Sequence, residues 1–325
     1  MIEKGQKEFL RVAVLGARRA KQGTGEYIAR DFIAAGHRIV GILGTSSQSV
    51  EETCLKLHEK YKIKCPGYTS IEELTQKHDI DVIVIASPIN THWRFLEFLS
   101  KKHYHVFCEK PLWWPEDNLD IEEVQIKTEN LIETFDHNKR ILWLNTQWPF
   151  TLPSYNELYS TVGKKNKIEN FEMWMSPVTN GREMLIDSGP HFFSMLFALL
   201  GAGELSSINI SYSMNEKNKL ATLKLESIYI HQKGKTIVKF FLKQCKDPPR
   251  PAGYAINGKS AERHIKMPEY LLSLSNKTNS VTMNDPLNES VKSFVEAVNM
   301  NKKTDREAIK NNMINLHKVV RAFSE

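Results

Sequence analysis

The stretch His105-Val106-Phe107-Cys108-Glu109-Lys110-Pro111 places a short run of β-forming residues directly before a Glu-Lys pair and a proline. Proline lacks an N–H group and cannot continue a central strand, so the strand is predicted to end here. Lys110 then lies at the carboxyl end of a strand, which is where open α/β sheets bind ligands. A lysine at that place can hold an anionic or hydroxyl-bearing substrate. For these three residues alone, a surface ion pair is an equally good interpretation.

Segments of strand and helix character alternate on both sides of this stretch. Strand-like apolar runs occupy 10–15, 38–43, 81–86 and 141–145, and helix-like segments occupy 26–35, 49–61, 70–74, 91–102 and 116–138. The continuous apolar run at 81–86 is typical of a strand buried on both faces. The alternation predicts an α/β fold with a doubly wound parallel sheet, which we assign to an N-terminal domain over 1–145.

The pattern changes after Ile168, where short segments of alternating apolar residues follow one another. An apolar segment at 190–200 predicts a buried helix, Asn257-Gly258 is typical of a hairpin turn, and helices are predicted from Asp285 and over 304–323. Strands in succession followed by helices predict a C-terminal α+β domain over 146–325 with an open, mostly antiparallel sheet. The terminal helix could pack back on the N-terminal domain.

A glycine-rich loop follows the first strand-like run, with Gly16, Gly23 and Gly25 before the first helix. Strand, glycine-rich turn, helix and strand form the opening of a dinucleotide-binding unit, in which glycines let the backbone approach a pyrophosphate. The usual spacing is G-x-G-x-x-G, whereas this turn is longer and has Arg18 at the second position. An ordinary loop before a helix is the alternative interpretation.

The end of the second strand favours NADP(H) over NAD(H), with NAD(H) still possible. NAD-specific sites place Asp or Glu there for the ribose 2′-hydroxyl, but Gly44-Thr45-Ser46 contains no acid. Thr45 and Ser46 can donate to a 2′-phosphate, and the side chains of Arg18, Arg19 and Lys21 could supply positive charge. Thr45 and Ser46 also suit a turn and helix cap, with Ser49 and Glu52 at capping-box spacing.

Composition excludes several other classes of protein. The chain has 325 residues, 41% hydrophobic and 25% charged, with a net charge of +6, and it has no run of 18 apolar residues and no secretory h-region. The four cysteines lack metal spacing and are interpreted as reduced thiols of a cytoplasmic protein. No nucleic-acid-binding signature is visible, so we expect a small-molecule ligand and no metal.

Two motifs resemble the Gfo/Idh/MocA family, the relatives of glucose–fructose oxidoreductase and inositol dehydrogenase. The first is Glu109-Lys110-Pro111, preceded by the 81–88 run and His92. The second is Asp187-Ser188-Gly189-Pro190-His191, which starts 77 residues after Lys110. The resemblance covers essentially the whole chain. It implies an NAD(P)-binding Rossmann domain, a C-terminal domain for substrate and oligomer contacts, and a homodimer or homotetramer.

The resemblance also implies roles for individual residues. Lys110 and His191 would be the catalytic pair, with His191 as acid–base group and Asp187 orienting or contacting the substrate. We assign to cofactor binding Gly16, Ala17, Arg18, Arg19, Gly23, Thr24, Gly25, Thr45, Ser46, Ser87, Pro88, His92, Glu109 and Lys110.

These residues predict an NAD(P)-dependent oxidoreductase that transfers hydride to or from a small hydroxyl or carbonyl substrate, such as a sugar or polyol derivative. Ser194 stands where family members commonly carry an Asp, and Trp113 and Trp114 give an aromatic environment. These departures leave open a reductase of an imine or conjugated pigment. A cofactor-sensing regulator without turnover is a second alternative.

Overall fold

The structure is a computed structural model that describes residues 9–18, 23–115, 120–160, 167–215, 220–267 and 269–323. The chain divides into two compact units. The first takes in the described residues of 1–119 with 126–145 and 287–306, and the second takes in 120–125 and the described residues of 146–286 and 307–325. One unit has a parallel sheet and the other a mostly antiparallel sheet, which confirms the predicted fold class.

The first unit is built on a six-stranded parallel sheet in the order β3-β2-β1-β4-β5-β6. Its strands are β1 Arg11–Leu15, β2 Arg38–Leu43, β3 Gly67–Tyr68, β4 Val82–Ile85, β5 His105–Glu109 and β6 Leu142–Asn145. The helices that alternate with them are α1 Thr24–Ala34, α2 Ser47–Tyr61, α3 Ile71–Lys77, α4 His92–Ser100 and α5 Ile121–His137. This strand order is that of a doubly wound Rossmann sheet.

Helix boundaries differ from the sequence predictions at α2. The helix begins at Ser47, and the Ser46 hydroxyl accepts a hydrogen bond from the Ser49 backbone N–H at 3.3 Å. The predicted capping box at Ser49 and Glu52 is therefore wrong, because Ser46 is the N-cap and Ser49 lies inside the first turn. The alternative interpretation of Ser46 as a helix cap is confirmed.

A helix from the last quarter of the sequence completes the core of the first unit. This helix, Pro286–Asn299, is α8 in the order of the chain, after α6 Leu152–Leu158 and α7 Glu183–Leu200. Its Phe294 is fully buried and makes edge contacts with Phe32 and Phe107, at centroid distances of 6.1 and 5.4 Å. Burial of such a side chain stabilises a fold by about 1.5–3 kcal/mol, so α8 is an integral part of this unit.

The second unit contains an eight-stranded sheet in the order β14-β13-β12-β11-β7-β10-β9-β8. Its strands are β7 Asn170–Met175, β8 Gly203–Met214, β9 Leu220–His231, β10 Gly234–Lys243, β11 Gly253–Ile256, β12 Lys259–Lys266, β13 Leu271–Ser275 and β14 Ser280–Met283. Every neighbouring pair is antiparallel except β7 with β10. The predicted hairpin turn at Asn257-Gly258 is confirmed, with both residues at positive φ.

Two helices of the second unit, α7 and α9 (Arg306–Ala322), are tied by polar contacts. The buried Asn312 side chain donates a hydrogen bond to the Pro190 carbonyl oxygen at 2.7 Å. Helix α7 begins at Glu183, seven residues before the predicted start, and Pro190 lies inside it. The prediction started the helix at Pro190 because the continuous apolar run begins there.

Among the described residues, no helix combines the length and apolarity that crossing a membrane requires.

Candidate functional site

The turn after β1 leaves no room for a side chain at two of its glycines. Gly16 has φ +83°, and a Cβ atom there would lie 2.6 Å from the Ser87 Cα. A Cβ atom on Gly25 would lie 2.7 Å from the Gly16 carbonyl oxygen. Because these neighbours are backbone atoms, the turn packs directly against the segment after β4. Gly16 and Gly25 therefore allow close packing of main-chain segments at the carboxyl end of the sheet.

The first turn of α1 has features that fit a dinucleotide phosphate. Gly23 is the N-cap and supplies no capping side chain, so it satisfies none of the first-turn N–H groups. The Thr24 hydroxyl oxygen is buried and has no hydrogen-bond partner among the described residues. A phosphate at this helix N-terminus would accept hydrogen bonds from both kinds of donor. The residues present thus fit the pyrophosphate of NAD(P).

The end of β2 presents exposed polar groups beside an arginine. Thr45 and Ser46 are exposed, and Arg18 forms an ion pair with Glu52 in the first half of α2. Sequence reasoning missed the role of Glu52, because nothing in the spacing indicates which carboxylate Arg18 contacts. Arg18 is thereby held close to the position where a ribose would lie. Arg19, also predicted to bind the cofactor, lies outside the described residues.

His92 connects two loops at the carboxyl end of the sheet. It is buried at the start of α4, and its Nε2 lies 2.9 Å from the Ser87 carbonyl oxygen. Its Nδ1 lies 3.0 Å from the Pro111 carbonyl oxygen. The imidazole therefore links the segment after β4, with Ser87 and Pro88, to the segment after β5. This contact positions the loop that contains Lys110.

A buried polar network fixes the end of β5. Glu109 is 4% exposed and accepts a hydrogen bond from the Asn145 side chain at the end of β6. Ser290 of α8 donates to the Asn145 amide oxygen at 2.8 Å and accepts from the Trp143 indole N–H at 3.2 Å. Asn145 and Ser290 were not predicted as supporting residues. Its polar side chain at the end of a strand is the sequence feature that could have indicated Asn145. No feature of the sequence indicates Ser290.

Lys110 follows β5 directly and is half-buried at this edge. We call Gly16, Gly25, Ser46, Ser87 and Lys110 together the cofactor edge, since each follows a strand of the parallel sheet or lies in the turn after one. Glu109 differs from them because its carboxylate is engaged inside the buried network. The aromatic residue Trp113 also differs, since it is 1% exposed and donates to the Thr128 hydroxyl. Trp113 is therefore part of the core.

In the second unit, Asp187 and His191 both lie on α7. Their spacing of four residues places them on one face of the helix, one turn apart. His191 is buried, with 9% exposure, and Asp187 is half-buried. The Ser194 hydroxyl, at the position where an Asp is common, donates to the His191 carbonyl oxygen at 2.8 Å. The Ser194 hydroxyl is therefore hydrogen-bonded to the backbone of its own helix.

The described residues contain no group of three or more histidine, cysteine or acidic side chains arranged to hold a metal ion. The first unit offers donors for a dinucleotide and a lysine, and the second unit offers a carboxylate and an imidazole.

Comparison with known proteins supports this view. Residues 10–144 match the model of the GFO_IDH_MocA family, described as an oxidoreductase family with an NAD-binding Rossmann fold. The sequence matches none of the curated proteins.

Several solved structures have the same fold over the whole chain, at low sequence identity. UDP-N-acetylglucosamine 3-dehydrogenase GnnA from Acidithiobacillus ferrooxidans is 15% identical, with a TM-score of 0.69 and 96% of each chain covered. Myo-inositol 2-dehydrogenase from Lactobacillus plantarum is 17% identical, with a TM-score of 0.69, 97% of this chain and 96% of that chain covered.

A third is biliverdin reductase from Synechocystis, solved with biliverdin and NADP+, which is 13% identical with a TM-score of 0.64, covering 96% of this chain and 98% of that one. Likeness at such identities shows the fold, while the match over 10–144 concerns the domain with the cofactor edge. Over residues 10–144, the chain therefore has the NAD-binding Rossmann domain that the GFO_IDH_MocA oxidoreductase family model describes.

Proposed function

We propose that the protein is an NADP(H)-preferring oxidoreductase that transfers hydride to or from a small hydroxyl or carbonyl substrate of the sugar or polyol type. The observation that carries this proposal is the pairing of Asp187 and His191 on one face of a buried helix, in a chain whose other unit has Lys110 directly after a strand. This combination of residue types suits oxidation of an alcohol. The names of the sugar-nucleotide and inositol dehydrogenases with the same fold agree with it.

Preference for NADP(H) rests on the end of β2. Thr45 and Ser46 are exposed there, the segment 44–46 contains no acid, and Arg18 lies beside α2. A carboxylate at this place would repel a 2′-phosphate, whereas hydroxyls and a guanidinium attract it. The ion pair between Arg18 and Glu52 weakens this attraction without removing it.

Each proposed catalytic residue has a defined task. When bound, the nicotinamide supplies or accepts the hydride. In the oxidation direction His191 takes the proton from the substrate hydroxyl, and in the reduction direction it returns that proton to the carbonyl oxygen. The task proposed for Lys110 is to hydrogen-bond a substrate oxygen and to stabilise negative charge that develops on that oxygen. Asp187, one turn before His191, orients the substrate or the imidazole.

The alternative of a pigment or imine reductase is favoured by one comparison, the shared fold with biliverdin reductase. The burial of Trp113 argues against it, because that residue was part of the aromatic environment that suggested a pigment. The alternative of a regulator without turnover has no such support, and Lys110 and His191 would be unnecessary for it.

A steady-state assay tests the proposal. Purified protein is mixed with NADPH or NADH and with three substrate panels: keto-sugars and keto-polyols, cyclic imines, and linear tetrapyrroles. We expect NADPH oxidation with the first panel. Oxidation with imines or tetrapyrroles alone would establish the first alternative, and NADPH binding without oxidation in any panel would establish the regulator.

Variants test the proposed site. Lys110→Ala and His191→Ala are expected to lower kcat by about 10²–10⁴-fold while NADPH affinity changes little. Lys101→Ala and His103→Ala, at exposed positions of the same sequence region, are matched controls. Unchanged turnover in the first two variants would contradict the assignment of these residues.

We also propose that the protein is a homodimer or homotetramer. On the outer face of the eight-stranded sheet, Ile228 and Ile237 pair across strands, and Ile230 and Ile237 are 43% and 52% exposed. Apolar residues grouped on one sheet face are typical of subunit contacts. Light scattering of the wild type and of Ile237→Lys tests this, since the variant should dissociate; a wild-type monomer would refute the proposal.

A further inference from the structure

Arg263 of β12 extends toward the covered side of the eight-stranded sheet. Strand residues alternate in direction, and Ala261, two residues earlier, is 1% exposed while Glu262 and His264 are exposed. The Arg263 guanidinium carbon lies 4.9 Å from the centre of the Trp148 indole. Trp148 itself is 3% exposed. An arginine is thus packed among core aromatic residues.

No carboxylate neutralises this guanidinium within the described part of the chain. Its Nε is shielded from solvent and has no hydrogen-bond partner there. By contrast, Arg11, Arg18, Arg30 and Arg306 each contact an acidic side chain. Arg263 is half-buried, and a charge that is partly withdrawn from water is costly unless it is paired, so its lack of an acidic partner among the described residues needs a physical reason.

The electrostatic surroundings point the same way. Loss of hydration on burial lowers the pKa of Arg263, Tyr270 and Asp285 oppose this change, and the positive charge of Arg250 adds to it. Asp285 is thus near enough to act on Arg263 but does not form an ion pair with it. Arg250 and Arg263 thus bring two positive charges to this region, and the negative charge of Asp285 offsets part of them.

Stacking on Trp148 does not satisfy the guanidinium. The attraction between a cation and the face of an aromatic ring stabilises the pair by about 0.5–2 kcal/mol. The five N–H donors of arginine lie in the plane of the group and point away from a stacked ring. The indole ring offers no carbonyl, carboxylate or hydroxyl oxygen, so the contact with Trp148 leaves the N–H donors of Arg263 to another acceptor. Carboxylate and phosphate groups match that edge with two parallel hydrogen bonds.

Contacts inside the second unit relate Arg263 to α7. Trp148 belongs to the 3-10 turn Trp148–Thr151, which packs against α7. A series of ring contacts leads from Trp148 towards α7. The centroids of Trp148 and Tyr254 are 6.1 Å apart, those of Tyr254 and Phe171 are 6.3 Å apart, and those of Phe171 and Phe192 are 5.7 Å apart. Phe192 is the neighbour of His191 in the sequence. Arg263 therefore belongs to the same packed layer as the helix with Asp187 and His191.

We propose that Arg263, oriented by Trp148, binds an oxyanion, namely a carboxylate or phosphate group of the substrate. The substrate would then be an acidic sugar or polyol derivative, such as a sugar acid or a sugar phosphate. The identity of the ligand as a substrate rests on the proposed function, whereas binding of an oxyanion by Arg263 does not.

Binding of simple ions tests the proposal without turnover. Protein saturated with NADP+, so that the phosphate site of the first unit is filled, is titrated with inorganic phosphate and separately with malonate while the melting temperature is recorded. We expect a saturable rise in the wild type with at least one ion. Arg263→Gln should lose this rise, and Lys233→Gln, which removes an exposed charge of the same unit, should keep it.

Three results would overturn the proposal: no rise in the wild type, the same rise in Arg263→Gln, or loss of the rise in Lys233→Gln as well. If Arg263→Gln does not fold, Arg263→Lys replaces it, because lysine keeps the charge and lacks the planar pair of donors. We expect its ion affinity to be lower than that of the wild type by about tenfold. Equal affinities would refute bidentate binding.

Kinetics then distinguish the two chemical sources of the anion. With matched pairs of substrates, Arg263→Gln should raise KM for the acidic member by about 10–100-fold and leave KM of the neutral member unchanged, with little effect on kcat. A change with sugar acids identifies a carboxylate, and one with sugar phosphates identifies a phosphate. Ion binding without turnover in any panel would refute the proposed function and leave the anion site standing. Turnover without ion binding would refute the anion site and leave the proposed function standing.

Discussion

The cofactor edge and helix α7 contain glycines of two different kinds. Gly16 and Gly25 face backbone atoms, so a side chain there would displace the main chain. Gly189, next to Pro190 in α7, faces the Leu316 Cδ1 atom, where a Cβ would lie 2.6 Å away. A leucine side chain can move, whereas a strand end cannot. The comparison teaches that the first site is fixed by the shape of the backbone and the second by side-chain packing.

The largest effect is expected for Gly16→Ala. Alanine at φ +83° is strained, and its Cβ would clash with Ser87, so we expect the free energy of unfolding to fall by about 3 kcal/mol and NADPH affinity by more than about tenfold. Urea denaturation and NADPH fluorescence titration measure these changes.

Gly36→Ala is the matched control, because Gly36 has φ +86° and open space around it. It should lose only about 1 kcal/mol and keep its NADPH affinity. Gly189→Ala should change stability by about 1 kcal/mol or less, since alanine is a better helix former and Leu316 can adjust. Equal losses in all three variants would refute the distinction.

A second test concerns the side chains that support α7 and its neighbours. The Asn315 amide oxygen accepts from the Leu205 N–H at 3.0 Å, and its amide nitrogen donates to the Gly203 carbonyl oxygen at 3.0 Å. Asn315→Ala leaves both buried groups of β8 without partners, so we expect a loss of about 2 kcal/mol in urea denaturation. Asn299→Ala, at an exposed position, should stay within about 0.5 kcal/mol, and a similar loss there would contradict the argument.

A smaller effect is expected at the ion pair of Arg18. Glu52→Gln frees the Arg18 guanidinium for a 2′-phosphate and should tighten NADPH binding by about threefold to tenfold, because exposed ion pairs contribute about 1 kcal/mol or less. NADH affinity should stay constant, as should NADPH affinity in Glu51→Gln. An equal gain for NADH would mean that Arg18 does not distinguish the two cofactors.

The smallest effect is a dependence on pH. Burial would raise the pKa of Glu26 in α1, but hydrogen bonds from Lys56, Lys60 and Tyr61 outweigh it and lower this pKa below its ordinary value of 4.5. The contribution of Glu26 is therefore present above that value and disappears as the pH falls through the lowered pKa. Glu26→Gln should be less stable than the wild type by about 0.5–1 kcal/mol at pH 7, and the difference should vanish in acid.

Melting curves of both proteins between pH 7 and acid measure this. Asn315, by contrast, makes its hydrogen bonds through a neutral amide. The loss of stability in Asn315→Ala should therefore be the same across this pH range. If the Glu26→Gln deficit were independent of pH, the contacts of Glu26 would not be ionic.

Sequence patterns predicted the parallel sheet well, because strands buried on both faces read as continuous apolar runs and each is followed by a helix. The glycine turn was predicted for a similar reason: positive φ and close backbone approach require one residue type. These constraints are local, so they are visible in a short stretch of sequence.

The sequence did not predict the contacts that join distant segments. Ser290 and Asn145 are 145 residues apart, and no local pattern indicates that a serine on α8 supports the end of β6. The start of α7 was misplaced because the prediction followed the apolar run from Pro190, whereas the helix begins at Glu183 and continues through Pro190. Arg263 was overlooked because an arginine in a strand is usually solvated, and only its half-buried position beside Trp148 distinguishes it.

The packing of α8 has a consequence for synthesis on the ribosome. Phe294 joins Phe32 and Phe107 in one hydrophobic cluster, so the core of the first unit is complete only after nearly 300 residues have been translated. At the usual 5–20 residues per second, the first 145 residues wait roughly 7–30 s for this helix. During that interval the apolar surface around Phe107 is open to chaperones, and a chain released before α8 would expose it permanently.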